Sequence, residues 1–349
     1  MHVQEKEQTV AGQSWKVYTL ENDHGMSVSF LNYGGIITNI TVPDRNGKLE
    51  NVVLSLANYE DYLDNPNFFG ALVGRVAGRI EGSSFSINDK KHLLPANEGD
   101  HHLHGGSTGF HQILWETTSF ETDTQVGVHF THTFPDGDGG YPGELDVSIM
   151  YTLTNENNFE ITYQATSDQD TILTTTNHSY FNLSGDLKRD ILQHDVQINA
   201  SQFIELDHEL IPTGELLSVD DTVFDFRKAH PIIDGVHSID QQNLVASNGF
   251  DHYFIFDHSN QPNVTVTDGE SGRKLEVLTD QPGMVMYTAN GLDDSIQLKE
   301  RNSTKYLGVC LETQGSPGSL KHEGFPSIYL GKDETYHKTT TFAFRTLND

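Results

Sequence analysis

Hydrophobic and polar positions alternate along most of this chain with a period of two. Val147, Ile149, Tyr151 and Leu153 alternate with polar residues, Asn155-Glu156-Asn157-Asn158 interrupts, and Phe159, Ile161 and Tyr163 resume the alternation. That pattern predicts a long hairpin. Val264-Val266 and Leu275-Val277 flank Asp268-Gly269-Glu270-Ser271-Gly272 and predict another. Asp44-Arg45-Asn46-Gly47 places an Asn-Gly turn between Ile40-Val42 and Val52-Leu54. Further strands are expected at Val126–Phe130, Val196–Ile198, Tyr253–Phe256, Met284–Tyr287, Val309–Leu311 and Thr341–Phe344. Helical signals are few and short, Tyr59–Leu63 being the best. Turn signals at short spacing and the absence of a βαβ rhythm predict an all-β sandwich or barrel. No Pro/Ser-rich linker and no repeat of fixed period breaks the chain, and Gly137–Gly143 reads as a loop between strands. A single domain over residues 1–349 is expected.

Composition narrows the partners. Lys and Arg number 21 against 50 Asp and Glu, a formal charge of -29. A chain so acidic is not expected to bind nucleic acid or an anionic membrane surface. A phosphorylated substrate is disfavoured too, unless a local arginine pocket overrides the global field. Cys310 is the only cysteine, so neither an intrachain disulfide nor a cysteine zinc site is expected. Within Leu307-Gly308-Val309-Cys310-Leu311 it reads as a core residue. Met1–Glu7 has no apolar signal region, and no apolar run approaches the ~20 residues of a membrane span. The expected location is cytoplasmic.

Five clusters carry residues suited to chemistry. Gly74-Arg75-Val76-Ala77-Gly78-Arg79-Ile80 holds two arginines in an apolar, glycine-rich segment, and a guanidinium fork suits hydroxyl oxygens or a carboxylate. In His101-His102-Leu103-His104-Gly105-Gly106, a strand would put His102 and His104 on one face, which raises a metal site. The next acid, Glu116, is too distant for the H-x-H-then-Glu pattern of cupins. His101 and His102 read as surface residues, while His104 before two glycines sits where backbone can approach a ligand. Thr176–Gly185, T-N-H-S-Y-F-N-L-S-G, packs five hydrogen-bonding side chains into six residues around His178. Such a segment is costly to bury without partners, and a sugar could supply many. Asp251 heads an aromatic strand in Gly249-Phe250-Asp251-His252-Tyr253-Phe254, a combination that fits a pyranose. Glu312 follows the apolar Val309-Cys310-Leu311, where burial would make it a better base. Gln281-Pro282-Gly283 adds an amide at a strand boundary.

These motifs together resemble the aldose 1-epimerase family nearly end to end. The resemblance rests on Asn32-Tyr33-Gly34-Gly35, Gly74–Ile80, Asn97-Glu98-Gly99 leading to Leu103-His104-Gly105-Gly106, and Gly140-Tyr141-Pro142-Gly143. It continues through Thr176–Gly185, Gly249–Phe254, Gln281-Pro282-Gly283 and Leu311-Glu312-Thr313-Gln314. It implies a large antiparallel β-sandwich of the supersandwich type with an open sugar-binding cleft. It also implies interconversion of the α and β anomers of free aldoses without metal or cofactor. Carried over by motif position, Glu312 is the general base, His178 the general acid and His104 an assistant. Arg79, Asp251 and Gln281 would bind sugar hydroxyls, with Gly78, Ser179 and Tyr180 lining the site. Two positions depart from the family: Gly78 and His101 stand where Asn is usual. Gly78 removes an amide beside Arg79 and bears on sugar preference; His101 is expected to serve as a turn constraint.

Anomerisation needs a proton taken from the C1 hydroxyl and one given to the ring oxygen. A carboxylate and an imidazolium on opposite sides of the sugar do both. The expectation is that Glu312 and His178 favour each other's charged form, with activity falling at low pH as Glu312 protonates and at high pH as His178 deprotonates. Three other readings compete: a hexose-6-phosphate 1-epimerase of the same fold, a silent sugar-binding module, and a cupin-like metal enzyme.

Overall fold

The computed structural model describes residues 1–257 and 262–347. The alternation is realised as antiparallel strands in three main sheets. The first runs through His2–Val10, Gln13–Glu21, Ser27–Leu31, Ile37–Pro43 and Leu49–Asn51 in sequence order. The second has nine strands, and Glu116–Glu121, Gln125–Phe134, Leu145–Thr154 and Asn158–Ser167 form its meander. Thr335–Thr346 then joins Asn158–Ser167 to Arg273–Thr279 and Val264–Asp268. The third sheet orders Tyr180–Phe181, Val309–Gln314, Gly283–Tyr287, Asp251–Ile255, Gln202–Leu206 and Pro212–Ser218. Among the described residues no helix is long and apolar enough to cross a membrane.

The predicted hairpins appear at Leu145–Thr154 with Asn158–Ser167 and at Val264–Asp268 with Arg273–Thr279. The Asn-Gly turn also forms, but Ile37–Pro43 pairs with Leu49–Asn51 and not with Val52–Leu54. Val53 instead bridges Phe181, and Leu54 N–H donates to Tyr180 O. The chain thus leaves the first sheet to brace the third. Tyr59–Leu63 is a 3-10 turn, too short to be a stable α-helix.

The inward faces share one apolar core that reaches from Tyr18 to Phe344 and contains side chains of all three sheets. An ionic crosslink pins its edge. Arg273, 1% exposed, donates to Glu50 Oε2 at 2.9 Å and to the carbonyls of Lys48, Leu183 and Val42. Lys188 binds the same carboxylate. The Glu50 carboxyl falls to about 2: burial opposes its charge, and the hydrogen bonds from Lys188, Lys48 and Arg273 overcome it.

The histidine run departs from the sequence expectation. Only His102-Leu103 is a strand, paired with Arg79-Ile80, and His104 has φ +52. His102 and His104 therefore do not share a strand face. His101 and His102 are buried, not surface residues. His102 bonds Pro95 O and Tyr141 Oη, and His101 Nδ1 accepts from Gly82 N–H. Sequence periodicity sees neither change: the first follows from the left-handed turn at His104, the second from packing against Gly82, Pro95 and Tyr141.

Candidate active site

Period two in Val309–Gln314 puts Cys310, Glu312 and Gln314 on one face of the third sheet. Their cross-strand partners stand on the same face. Tyr180 and Tyr287 lie opposite Cys310, Val285 opposite Glu312, Asp251 opposite Tyr287 and Tyr253 opposite Val285. Over this face lies a cavity of about 280 Å³, closed by Phe68, Gly78-Arg79, Glu98, Leu103-His104 and His178. Segments distant in sequence by more than two hundred residues meet here.

Glu312 Oε1 lies 3.5 Å from His178 Nε2, both side chains being less than 10% exposed. His104, His178 and Glu312 each bring one donor or acceptor atom within 4.8 Å of the others. Gly105 allows this approach. Its φ is +82, and a Cβ there would lie 2.0 Å from Gly74 O. Gly78 and His104 are bonded twice: His104 N–H donates to Gly78 O (3.2 Å) and Gly78 N–H donates to His104 Nδ1 (3.1 Å). Since Nδ1 accepts, the neutral His104 ring carries its proton on Nε2. His104 is thereby a fixed hydrogen-bond donor. A metal ligand needs the opposite tautomer, with the outer nitrogen donating to a second group, so this donor set does not fit a metal.

Burial governs the protonation of the pair. It lowers His178 to about 4, a fall the ring's own backbone carbonyl only partly resists. Burial also raises the Glu312 carboxyl well above its ordinary range, with Asp251 adding to the rise and Arg79 opposing it. The expectation that mutual attraction keeps both charged therefore meets a larger effect, desolvation. By itself the pair favours its uncharged form, which holds the same single proton as the ion pair. Burial likewise pushes His104 well down, helped by His178 and Arg79.

Arg79 is locked to Glu98 by two parallel bonds, Nε to Oε2 at 2.5 Å and Nη2 to Oε1 at 2.8 Å. Burial works against the guanidinium, yet Glu98, Asp251 and Glu312 outweigh it and raise its pKa. Its remaining N–H groups are free of Glu98. Asp251 lines the cavity, its carboxyl raised by burial and lowered by Arg79. Tyr180 lines it too, with its hydroxyl bonded to Asn67 O. Cys310 is fully buried as expected, and its Sγ lies 3.5 Å from His178 Nδ1.

Two of the nine sequence-derived site residues stand outside the cavity lining. Ser179 Oγ donates to Asn177 Oδ1 at 2.7 Å, pointing away as its strand neighbours His178 and Tyr180 point in. Gln281 is 4% exposed and gives its amide to Tyr336 Oη (3.0 Å) and Thr175 O (3.4 Å). The other seven, Gly78, Arg79, His104, His178, Tyr180, Asp251 and Glu312, line one cavity.

The aldose 1-epimerase sequence profile matches residues 16–343. The chain is 42% identical to galactose mutarotase of Mus musculus over 338 residues, 95% of each chain. It is 33% identical to aldose 1-epimerase of Streptococcus thermophilus over 335 residues, 93% of each. The chain belongs to the aldose 1-epimerase family. Its fold superposes on galactose 1-epimerase from Lactobacillus acidophilus NCFM with a TM-score of 0.88, at 32% identity and 99% coverage of both chains. The antiparallel β-sandwich is thus the family's fold.

Within this family member, sequence reasoning overlooked Phe68, Glu98, Tyr287 and Gln314 as cavity residues. Gln314 was readable, because it sits two positions past Glu312 on the same strand face. Glu98 stood out only as part of a motif; its pairing with Arg79 requires two loops to meet. Phe68 carried no signal, lying in the aromatic pair Phe68-Phe69 of an apolar segment.

Proposed function

We propose that Glu312 and His178 carry the reaction of this aldose 1-epimerase as general base and general acid. The observation that supports this reading is their 3.5 Å contact at the base of the sugar-sized cavity. A sugar seated over the pair meets a carboxylate at the C1 hydroxyl and an imidazolium at the adjacent ring oxygen. The O1–H proton passes to Glu312, the C1–O5 bond breaks, and the Nε2 proton of His178 passes to O5. Rotation about C1–C2 and the reverse transfers close the other anomer. The pair needs one proton in total, which is the count that burial already favours. Arg79 beside Glu312 favours the carboxylate and so draws the pair toward its charged form. His104 Nε2–H supplies a fixed donor beside His178. Arg79 and Asp251 bind ring hydroxyls. The transfers use only protein acids and bases, so the reading calls for no metal or cofactor.

The substrate is a free aldose of the galactose and glucose type, galactose being the sugar in the relatives' names. Among the described residues that line the cavity, Arg79 is the only Lys or Arg and is already paired with Glu98, while Asp251 and Glu312 add acidic groups. A phosphate would enter an acidic site with no spare cation, which weighs against a hexose 6-phosphate. Residues 1–349 act as one unit in this reading, since strands from both ends of the chain feed the common core.

Polarimetry on freshly dissolved α-D-galactose, α-D-glucose and α-D-glucose 6-phosphate tests the proposal. Fast mutarotation of the free sugars is expected, with kcat/KM for the phosphate at least ~100-fold lower. Glu312→Gln and His178→Asn should each lose ~10²–10⁴-fold in kcat while staying folded. Retention of most activity in either variant would remove that residue from its role.

A further inference from the structure

Phe68 has a left-handed backbone, φ +54, a conformation that bulky side chains adopt only when their surroundings enforce it. The enforcement is visible. Phe68 N–H donates to Asn65 O (3.0 Å), and the Asn65 side chain clamps Phe69, accepting from its N–H (3.0 Å) and donating to its carbonyl (3.2 Å). The same loop is tied to the segment that carries His178. Gly70 N–H donates to His178 O, His178 N–H to Ala71 O, the Asn177 amide to Gly70 O and Tyr180 Oη–H to Asn67 O.

The outcome is a phenyl ring set against three imidazoles. Its centroid lies 4.7 Å from His104 and 4.9 Å from His111, both edge-on, and 5.9 Å from His178 at an interplanar angle of 29°. A residue serving only the core would be fully buried. Phe68 is only partly buried, and it lines the cavity.

We propose that Phe68 is a positioning residue for the acid–base pair, its strained backbone holding an aromatic wall that keeps water from His178 and His104. This rests on the acid–base reading above. The titratable groups around His178 are His104, His111, Tyr180, Cys310 and Glu312. Phe68 adds no charge to that set; it removes solvent. An imidazole denied water is a stronger acid once protonated, which suits a group that must protonate a weakly basic ring oxygen.

The test compares Phe68→Asn with Phe68→Tyr. Asn tolerates the left-handed backbone but replaces the apolar ring with a hydrated amide, whereas Tyr keeps the ring. Imidazole NMR of histidine-labelled protein, with His178→Asn used to assign the His178 signal, follows its titration over roughly pH 5.5 to 7.5. Polarimetry gives kcat and KM over the same range. In the wild type and in Phe68→Tyr, the His178 signal should stay flat. In Phe68→Asn it should titrate within the range, with kcat down about 100-fold and KM within ~3-fold. Its thermal midpoint should equal or exceed that of the wild type.

A His178 signal as flat in Phe68→Asn as in the wild type overturns the proposal. So does a kcat within twofold of wild type. If Phe68→Asn does not fold, Phe68→Ala gives the same two readouts. Should Glu312→Gln and His178→Asn be inactive while Phe68→Asn behaves as wild type, the inference fails and the acid–base reading stands. Activity in Glu312→Gln or His178→Asn sinks that reading itself.

Discussion

Acidification to about pH 5 should bring this protein close to unfolding, because folding keeps several histidines neutral that the unfolded chain would protonate. Burial holds His111, His178 and His194 at about 4 and His252 at about 3, against an ordinary 6.5. None of the four is more than 7% exposed. A group depressed on folding contributes stability that is present above its unfolded pKa and is lost as pH falls toward its folded one. The window here is therefore roughly pH 6.5 down to 4. At pH 5 each group stands about 1.5 units below 6.5, which costs about 2 kcal/mol apiece. Four such groups cost about 8 kcal/mol, comparable to the 5–15 kcal/mol by which domains are stable. Burial pushes His102 and His104 in the same direction, while the raised carboxyls of Glu312 and Asp251, which give up protons on unfolding, offset part of the cost. Glu50, at about 2, loses its contribution only below the ordinary carboxylate range and leaves this window alone.

Urea titrations followed by circular dichroism at several pH values measure the slope directly. Stability should fall below pH 6.5, with a net uptake of protons on unfolding near pH 5.5. His252→Gln isolates one contributor. The residue is not among the cavity-lining side chains; its Nδ1 accepts from Asp251 N–H (3.2 Å), and a glutamine can still donate to Gln242 Oε1, its other partner at 3.0 Å. Relative to its own difference from wild type at pH 7.5, this variant should gain about 2 kcal/mol at pH 5. Identical slopes for His252→Gln and wild type between pH 5 and 6.5 would refute the reasoning.

Glu312→Gln should stabilise the fold at pH 8 while it removes activity. A carboxyl raised by folding is favourable below its unfolded pKa and turns unfavourable as pH rises toward its folded one, so the gain in Tm should be larger at pH 8 than at pH 5; a loss of Tm growing with pH would contradict this. Arg273→Met should cost ~3–5 kcal/mol in urea, because it takes the buried guanidinium away from the Glu50 carboxylate and from the carbonyls of Lys48, Leu183 and Val42, leaving Glu50 only Lys48 and Lys188 at the core edge. Adding Glu50→Gln should recover part of that loss. Gly105→Ala should prevent accumulation of folded protein, its Cβ lying 2.0 Å from Gly74 O, whereas Gly47→Ala, with nothing within 4 Å, should cost only ~1 kcal/mol; soluble yield and Tm separate the two.

The antiparallel architecture was legible because a strand's two faces are written locally. Val147 to Leu153 states which side is buried without reference to the rest of the chain. The site was legible in parts for a related reason: Glu312 follows an apolar run, Asp251 heads an aromatic strand and His178 sits in a dense polar run, and polar groups in such places need partners. The histidine run was misread because His104 turns left-handed, and that turn answers to Gly74 and Gly78 across a gap in sequence. Phe68 was invisible because its significance is a set of ring contacts, none with a neighbour in sequence.

By itself, the sequence determined the period-two strands, the acidic composition, the family and seven of the residues that line the cavity. Tertiary structure alone decided that Glu312 meets His178, that Arg79 is spent on Glu98, and that Gln281 and Ser179 turn to protein partners. It also set burial against the charges expected of Glu312 and His178. Periodicity is a local property of the chain. Distance, desolvation and tautomer arise only when segments far apart in sequence are packed together, and in this protein those three quantities set the chemistry.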